Sequence, residues 1–234
     1  MDGFEHFCTG HLIILGLCPV FTFLATLATV KASDKLAGIV IKAMSIITLA
    51  LEILQDILLT LEGGNIMNYL PLHLCNLGLF VNIIASFSYG RVRGFFSEVS
   101  LTLIAPGALL ALITPDWNYR PLLSWLPLMC FATHILLVTI PVMMYARGYC
   151  RPSFRHFYYA YVFLVAVAVP IYIFDRATDK NYMFLLRTPK GTPLSWMESF
   201  MGNPGYLLGV LAMLALVLIV VYSLLSVIEK ISKI

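Results

Sequence analysis

NYLPLHLCNLGLFVNIIASFS, residues Asn68–Ser88, is the stretch whose reading decides the fold. It is an apolar run long enough to cross the bilayer core, about 30 Å at about 1.5 Å per residue. Near its start it carries His73, Cys75 and Asn76, with Asn82 and Ser86 further along. A spanning helix keeps such residues only where they face protein, water or a substrate. The segment therefore reads as the helix that presents a reactive cysteine, with the rest of the chain as its housing.

The whole chain agrees with that reading. Of its 234 residues, 60% are hydrophobic and 12% charged, and the mean hydropathy is +0.90. No soluble domain hides that much apolar surface, so the expected class is an all-α polytopic membrane protein. Basic residues are scattered among short connections, which argues against a nucleic-acid surface. No Lys or Arg precedes the first apolar run, where Asp2 and Glu5 stand instead, so the first helix is expected to be retained rather than cleaved. Cys8, Cys18, Cys75, Cys130 and Cys150 form no CxxC pair, which speaks against a disulfide framework or a metal ribbon.

Working outward, polar breaks divide the chain into seven expected spans in a single helical domain, residues 1–234. The spans are 8–30, 36–60, 69–89, 95–114, 122–146, 155–174 and 204–228, with a long outer loop over 175–203. Ten of the fifteen Lys and Arg, including Lys31, Lys35, Arg91, Arg93, Arg147 and Lys233, fall on the odd-numbered connections or the C-terminal tail. Arg120, Arg176, Lys180, Arg187 and Lys190 fall on the other side. The positive-inside rule then places the C-terminus in the cytoplasm and the N-terminus outside. The last span, Tyr206–Val227, has no lysine, so seven spans do not make a retinal-binding protein.

Several polar residues stand out inside the spans. Ser45, Thr48, Glu52, Gln55 and Asp56 form one stripe on the second helix. Glu52 is expected about 12 Å from the outer end, where a carboxyl group is expensive unless protonated, paired or wet. His134, in CFATHILLVTIP, is the histidine in the middle of a span and is the natural proton carrier near neutral pH. Cys130 lies four residues earlier on the same face, so a local Cys130–His134 pair competes with Cys75. His73 is two residues from Cys75 and points away from it on a regular helix, unless Pro71 leaves the first turn irregular. Counted from the outer surface, His134 lies about 20 Å deep against about 9 Å for Cys75. An interfacial Pro121–Leu126 narrows that gap to about 10 Å, and helix tilt or re-entry must close the rest, failing which the Cys130–His134 pair gains.

Three motifs carry a family likeness. PLHLC (Pro71–Cys75), TPD (Thr114–Asp116) and NYMFLLRTPKGTPL (Asn181–Leu194) before GNPGY (Gly202–Tyr206) resemble the bacterial YwaF-like integral membrane proteins. These are similar to a vertebrate transmembrane acyltransferase that remodels ether phospholipids. More distantly they resemble the androgen-induced intramembrane hydrolases of fatty-acid esters, which use Thr and His. The resemblance implies acyl-transfer chemistry with Cys75 as nucleophile and His134 as its paired histidine. It also implies a bacterial plasma membrane.

The residues are compatible with that chemistry. A thiol attacks an ester only as thiolate and needs a base within reach, which His134 supplies, with Glu52 or Asp116 to orient the ring. Asn76, Asn82 or loop amides near Asn181 are the expected oxyanion donors. The expected function is an intramembrane thiol-dependent lipid acyltransferase or hydrolase. It takes an acyl chain from a phospholipid to a lysophospholipid or water, with no cofactor and no metal. The alternative is a proton-coupled transporter using Glu52 and His134, and a third reading is an assembly protein whose polar residues are packing contacts.

Overall fold

The structure, a computed structural model, describes residues 3–189 and 192–231. The expectations placed on Asp2, Lys190 and Lys233 lie outside these residues. Among the described residues all regular structure is helical. The chain divides into two compact units, Met1–Arg151 and Pro152–Ile234.

The first unit contains α1 (Thr9–Lys31), α2 (Asp34–Leu61), α3 (Leu74–Phe87), α4 (Gly90–Val99), α5 (Ala105–Ile113) and α6 (Trp125–Ala146). Local chemistry sets the boundaries. Ser33 caps α2 by accepting from the Leu36 amide at 3.3 Å, and Asp34 places a negative charge in the first turn, where the helix dipole favours it. Between α4 and α5 the chain makes a π-turn, Ser100–Ile104, just before Pro106. Proline has no N–H and clashes with the carbonyl four residues back, so the ladder loosens there.

The organising element of this unit is α6, not α3. It packs against α1, α2, α3 and α5. Its Ile140, Met143 and Met144 form a buried cluster with Ile41 of α2 and Ala85 of α3. Thr22 of α1 and Thr139 of α6 share a hydrogen bond of 2.8 Å across their seam. α3 reaches this core because Gly78 has no side chain. A Cβ there would stand 2.4 Å from Ile104 Cγ2 and 3.3 Å from Leu137 Cδ2. Ile104 is β-branched and stiff, so it cannot swing aside. Gly78→Val is expected to cost about 1–3 kcal/mol by overpacking, read as a lower thermal midpoint of the detergent-solubilised protein. An unchanged midpoint would show that α3 can move away.

Outward-facing surfaces are apolar. Leu12, Ile13, Leu17, Val20 and Phe23 of α1 are each about half exposed or more. In water such a face is costly, but in lipid it is matched by the solvent. Among the described residues, six stretches are long and apolar enough to span: Thr9–Lys31, Asp34–Leu61, Gly90–Ile113, Trp125–Ala146, Phe154–Thr178 and Tyr206–Ile231. The chain is an integral membrane protein by this criterion.

The expected third span, 69–89, is corrected. α3 has 14 residues, about 21 Å at about 1.5 Å per residue, short of the bilayer core. Two features shorten it. A 3₁₀ turn, Ile66–Asn68, is capped by Asn65, and Pro71 disfavours the helical conformation at Leu70. Helix begins only after His73, which is extended at φ −73°, ψ 154°.

The second unit holds α7 (Tyr158–Thr178), α8 (Pro193–Met201) and α9 (Tyr206–Ile231). Tyr161 donates its hydroxyl to the Leu211 carbonyl at 3.0 Å, joining α7 to α9. α7 runs past the expected end at 174 to Thr178, where Asp179 adopts a left-handed conformation that stops it. The loop expected over 175–203 contains helix of its own, α8.

Candidate active site

Four elements of the first unit bring the sequence-predicted residues together. α2 carries Glu52, Gln55 and Asp56, α3 carries Cys75 and Asn76 in its first turn, and α6 carries Cys130 and His134. The segment between α5 and α6 carries Asp116. Asn76 donates from Nδ2 to Glu52 Oε1 at 2.6 Å, tying α2 to α3 beside Cys75. The carboxylates of Glu52 and Asp116 lie within electrostatic reach of both Cys75 and Cys130, and Asp116 within reach of His134. The residues span positions 52 to 134 and are brought to one region by the packing of α2 and α3 on α6; among the described residues no hydrogen bond joins Cys75 to His134.

His134 is held by its own helix. Its Nδ1 lies 2.8 Å from the Cys130 carbonyl. A carbonyl only accepts, so Nδ1 carries the proton and a neutral ring has its lone pair on Nε2. The ring packs against Trp117, with centroids 4.8 Å apart. The orienting group is therefore a backbone carbonyl backed by an indole, and neither Glu52 nor Asp116 hydrogen-bonds the ring.

The two cysteines differ in setting. Cys130 is buried, and its thiol donates to Gln55 Oε1 at 3.2 Å. Cys75 is partly exposed, and among the described residues its thiol makes no hydrogen bond. It sits at the second position of α3, where the leading N–H groups have no intrahelical acceptor and His73 supplies no side-chain cap. His73 stands outside the regular helix, so helical geometry does not turn it away from Cys75.

Asn82 and Asn181 are held by other partners. Asn82 is buried about 10 Å further along α3 and accepts from the Ser100 hydroxyl at 2.5 Å. With Ser86 and Ser45, which share a bond of 2.8 Å, it forms a polar seam between α2, α3 and the π-turn. Asn181 belongs to the second unit. Its Oδ1 accepts from the Leu186 and Arg187 amides at 3.0 and 2.9 Å, and its Nδ2 donates to the Arg187 carbonyl, so its amide organises the loop.

Sequence reading missed the N-terminal strap and Trp117. Phe4 donates its amide to Asn118 O at 2.9 Å, and His6 Nε2 donates to Pro115 O at 2.9 Å. His11 is fully buried. It accepts from the Phe7 amide at Nδ1 and donates from Nε2 to Leu112 O at 2.8 Å. These contacts pin the segment that carries Asp116 and Trp117. Phe131 packs against His11, Phe4 and Trp117 and so continues the wall to His134. The only sequence signal was a histidine and aromatic residues ahead of a span, which by itself points to no partner.

The same segment is anchored at its far end. Glu62 accepts from Arg120 at 2.6 Å and from Trp125 Nε1 at 3.1 Å. The Arg120 hydrogen bond, aided by Trp125, holds the Glu62 carboxyl below its ordinary range. A depressed carboxyl contributes stability above its unfolded value, about 4.3, and loses it as the pH falls through the lower folded value. Tryptophan fluorescence titrated downward is therefore expected to change below about pH 4 in the wild type and not in Glu62→Gln. A change of the same size in both would place the titrating group elsewhere.

The model of the TMEM164 family matches residues 3–222. No curated protein and no solved structure matches the chain.

Proposed function

We propose, for a chain that belongs to the TMEM164 family of membrane proteins, an intramembrane thiol-dependent acyl transfer from a phospholipid to a lysophospholipid or water. The observation that carries the reading is the bond from Asn76 to Glu52 beside Cys75, with Asp116 within electrostatic reach of both Cys75 and His134. The likeness of PLHLC, TPD and NYMFLLRTPKGTPL to the ether-phospholipid acyltransferase supports it, and the YwaF-like pattern favours a bacterial plasma membrane. The basic-residue bias places the N-terminus outside and the C-terminus in the cytoplasm.

In this reading the Cys75 proton passes to His134 Nε2, and Sγ attacks the ester carbonyl carbon. The oxyanion is held by N–H groups of the first turn of α3, with Asn76 positioned by Glu52. Collapse breaks the acyl C–O bond. The departing glycerolipid oxygen takes the proton from the imidazolium and leaves as lysolipid, with a thioester on Cys75. In the second half, a lysolipid hydroxyl or water gives its proton to Nε2 and attacks the thioester carbon; the acyl C–S bond breaks, the acylated lipid or free acid leaves, and the imidazolium returns the proton to Sγ. Cys130 is the weaker nucleophile, because its thiol is engaged by Gln55 and His134 bonds its carbonyl rather than its sulfur.

The test is intact mass measurement of the purified protein after incubation with a mixed phospholipid extract. A hydroxylamine-sensitive adduct with the mass of an acyl chain, together with released lysolipid, is expected. Absence of both would overturn the reading and favour the transporter. That alternative draws on the partly buried Glu52 and Asp56 on one face of α2.

A further inference from the structure

A polar cavity lies at the other end of the first unit. About 520 Å³ in volume, it opens among Asp34, Gly90, Arg93, Arg147, Gly148 and Tyr149. Asp34 is the first residue of α2 and Glu52 lies 18 residues on, about 27 Å along the axis, so this cavity is separate from the Cys75 cluster.

Two arginines dominate it. Arg147 is mostly buried, with its side chain 15% exposed. It donates to the Val30 carbonyl at 3.2 Å and pairs with Asp34. Arg93 is held differently. Its Nε donates to the Ser88 carbonyl at 2.8 Å, and its guanidinium lies 4.2 Å from the Tyr149 ring centre and 4.7 Å from that of Tyr89. Three contacts thus set its position and plane before any ligand arrives. Among the described residues its terminal nitrogens have no acceptor. A fixed guanidinium fork with open N–H groups matches the oxygens of a phosphate.

The surrounding backbone suits an anion too. Gly90 and Gly148 have φ of +58° and +72°, and a Cβ at either would meet nothing within 4 Å, so the main chain is open to approach. Gly90 begins α4, whose N-cap Tyr89 provides no side-chain bond. The unsatisfied amides of that helix start add positive potential. Asp34 offsets Arg147, which leaves a net charge of one for the ligand.

The position selects a lipid. Lys31, Lys35 and Arg91 belong to the same helix ends, as expected of a headgroup-facing rim. Leu36, Ile39 and Val92, each just over half exposed, give acyl chains an apolar surface continuing from it. We propose that this cavity binds the phosphate of an anionic membrane lipid, with Arg93 as principal ligand and Arg147 as the second.

The test compares phosphatidic acid and phosphatidylcholine of the same chains, added to the full chain in detergent and read by native mass spectrometry. Millimolar inorganic phosphate serves as competitor. Wild type is expected to retain phosphatidic acid about tenfold better than phosphatidylcholine, and Arg93→Gln to lose most of that preference. Arg93→Lys, which keeps charge but not the fork, should fall between them, and it keeps the test available if Arg93→Gln fails to fold. Equal retention of the two lipids, or undiminished phosphatidic acid on a folded Arg93 variant, would overturn the proposal. Displacement by inorganic phosphate alone would reassign the site to free phosphate and overturn the lipid assignment.

Discussion

Cys75→Ala is expected to remove the acyl adduct and to lower lysolipid release by about 10³-fold or more, whereas Cys130→Ala keeps at least about a third of both. The asymmetry follows from the two settings. Cys75 stands at a helix start, and among the described residues its thiol makes no hydrogen bond. Cys130 is buried and hydrogen-bonded to Gln55. Removing a nucleophile abolishes the covalent path, while removing a buried thiol leaves only a small packing defect. Cys75→Ser distinguishes chemistry from transport: it should cripple an acyl enzyme and leave a carrier nearly intact. Loss of the adduct with Cys130→Ala alone would move the site to α6.

His134→Gln is expected to lower both acylation and thioester turnover by about 10²- to 10⁴-fold at neutral pH, the usual worth of a positioned general base. Glutamine can still donate to the Cys130 carbonyl and fill the space beside Trp117, so the loss reports proton transfer rather than collapse of the site. The residual rate should climb with pH, because hydroxide then generates the thiolate without the imidazole. Single-turnover adduct formation across a pH series measures this. Adduct formation at the wild-type rate would remove His134 from the proton path and direct attention to His73, which the irregular start of α3 frees from helical geometry. Glu52→Gln provides the contrasting control. It keeps a partner for Asn76 and is expected to reduce acyl transfer only modestly, whereas a proton carrier depends on that carboxyl.

Membrane character and most of the helix plan were legible in the sequence, because apolar length is a local property that bilayer thickness converts directly into helices. α1, α2, α6 and α9 begin and end within a few residues of expectation. The stripe containing Glu52 and the isolated His134 were also visible, since a polar residue stands out against an apolar run. The third span was overread because hydropathy counts Leu70 and Leu72 as helix while Pro71 and the Asn65 cap hold the chain in turns.

Tertiary structure alone decided what those residues touch. The pairing of Asn76 with Glu52, the commitment of Asn82 to Ser100, the packing of His134 on Trp117, and the contacts of the Phe4–His11 strap each join positions well separated in the chain. Helical periodicity specifies the face on which a side chain lies, but not which other helix covers that face or how deep it slides. Here those choices rest on close packing. Gly78 admits Ile104, and α6 fills the centre, so the register of α3 against α2 and α6 is set by contacts that no local pattern encodes.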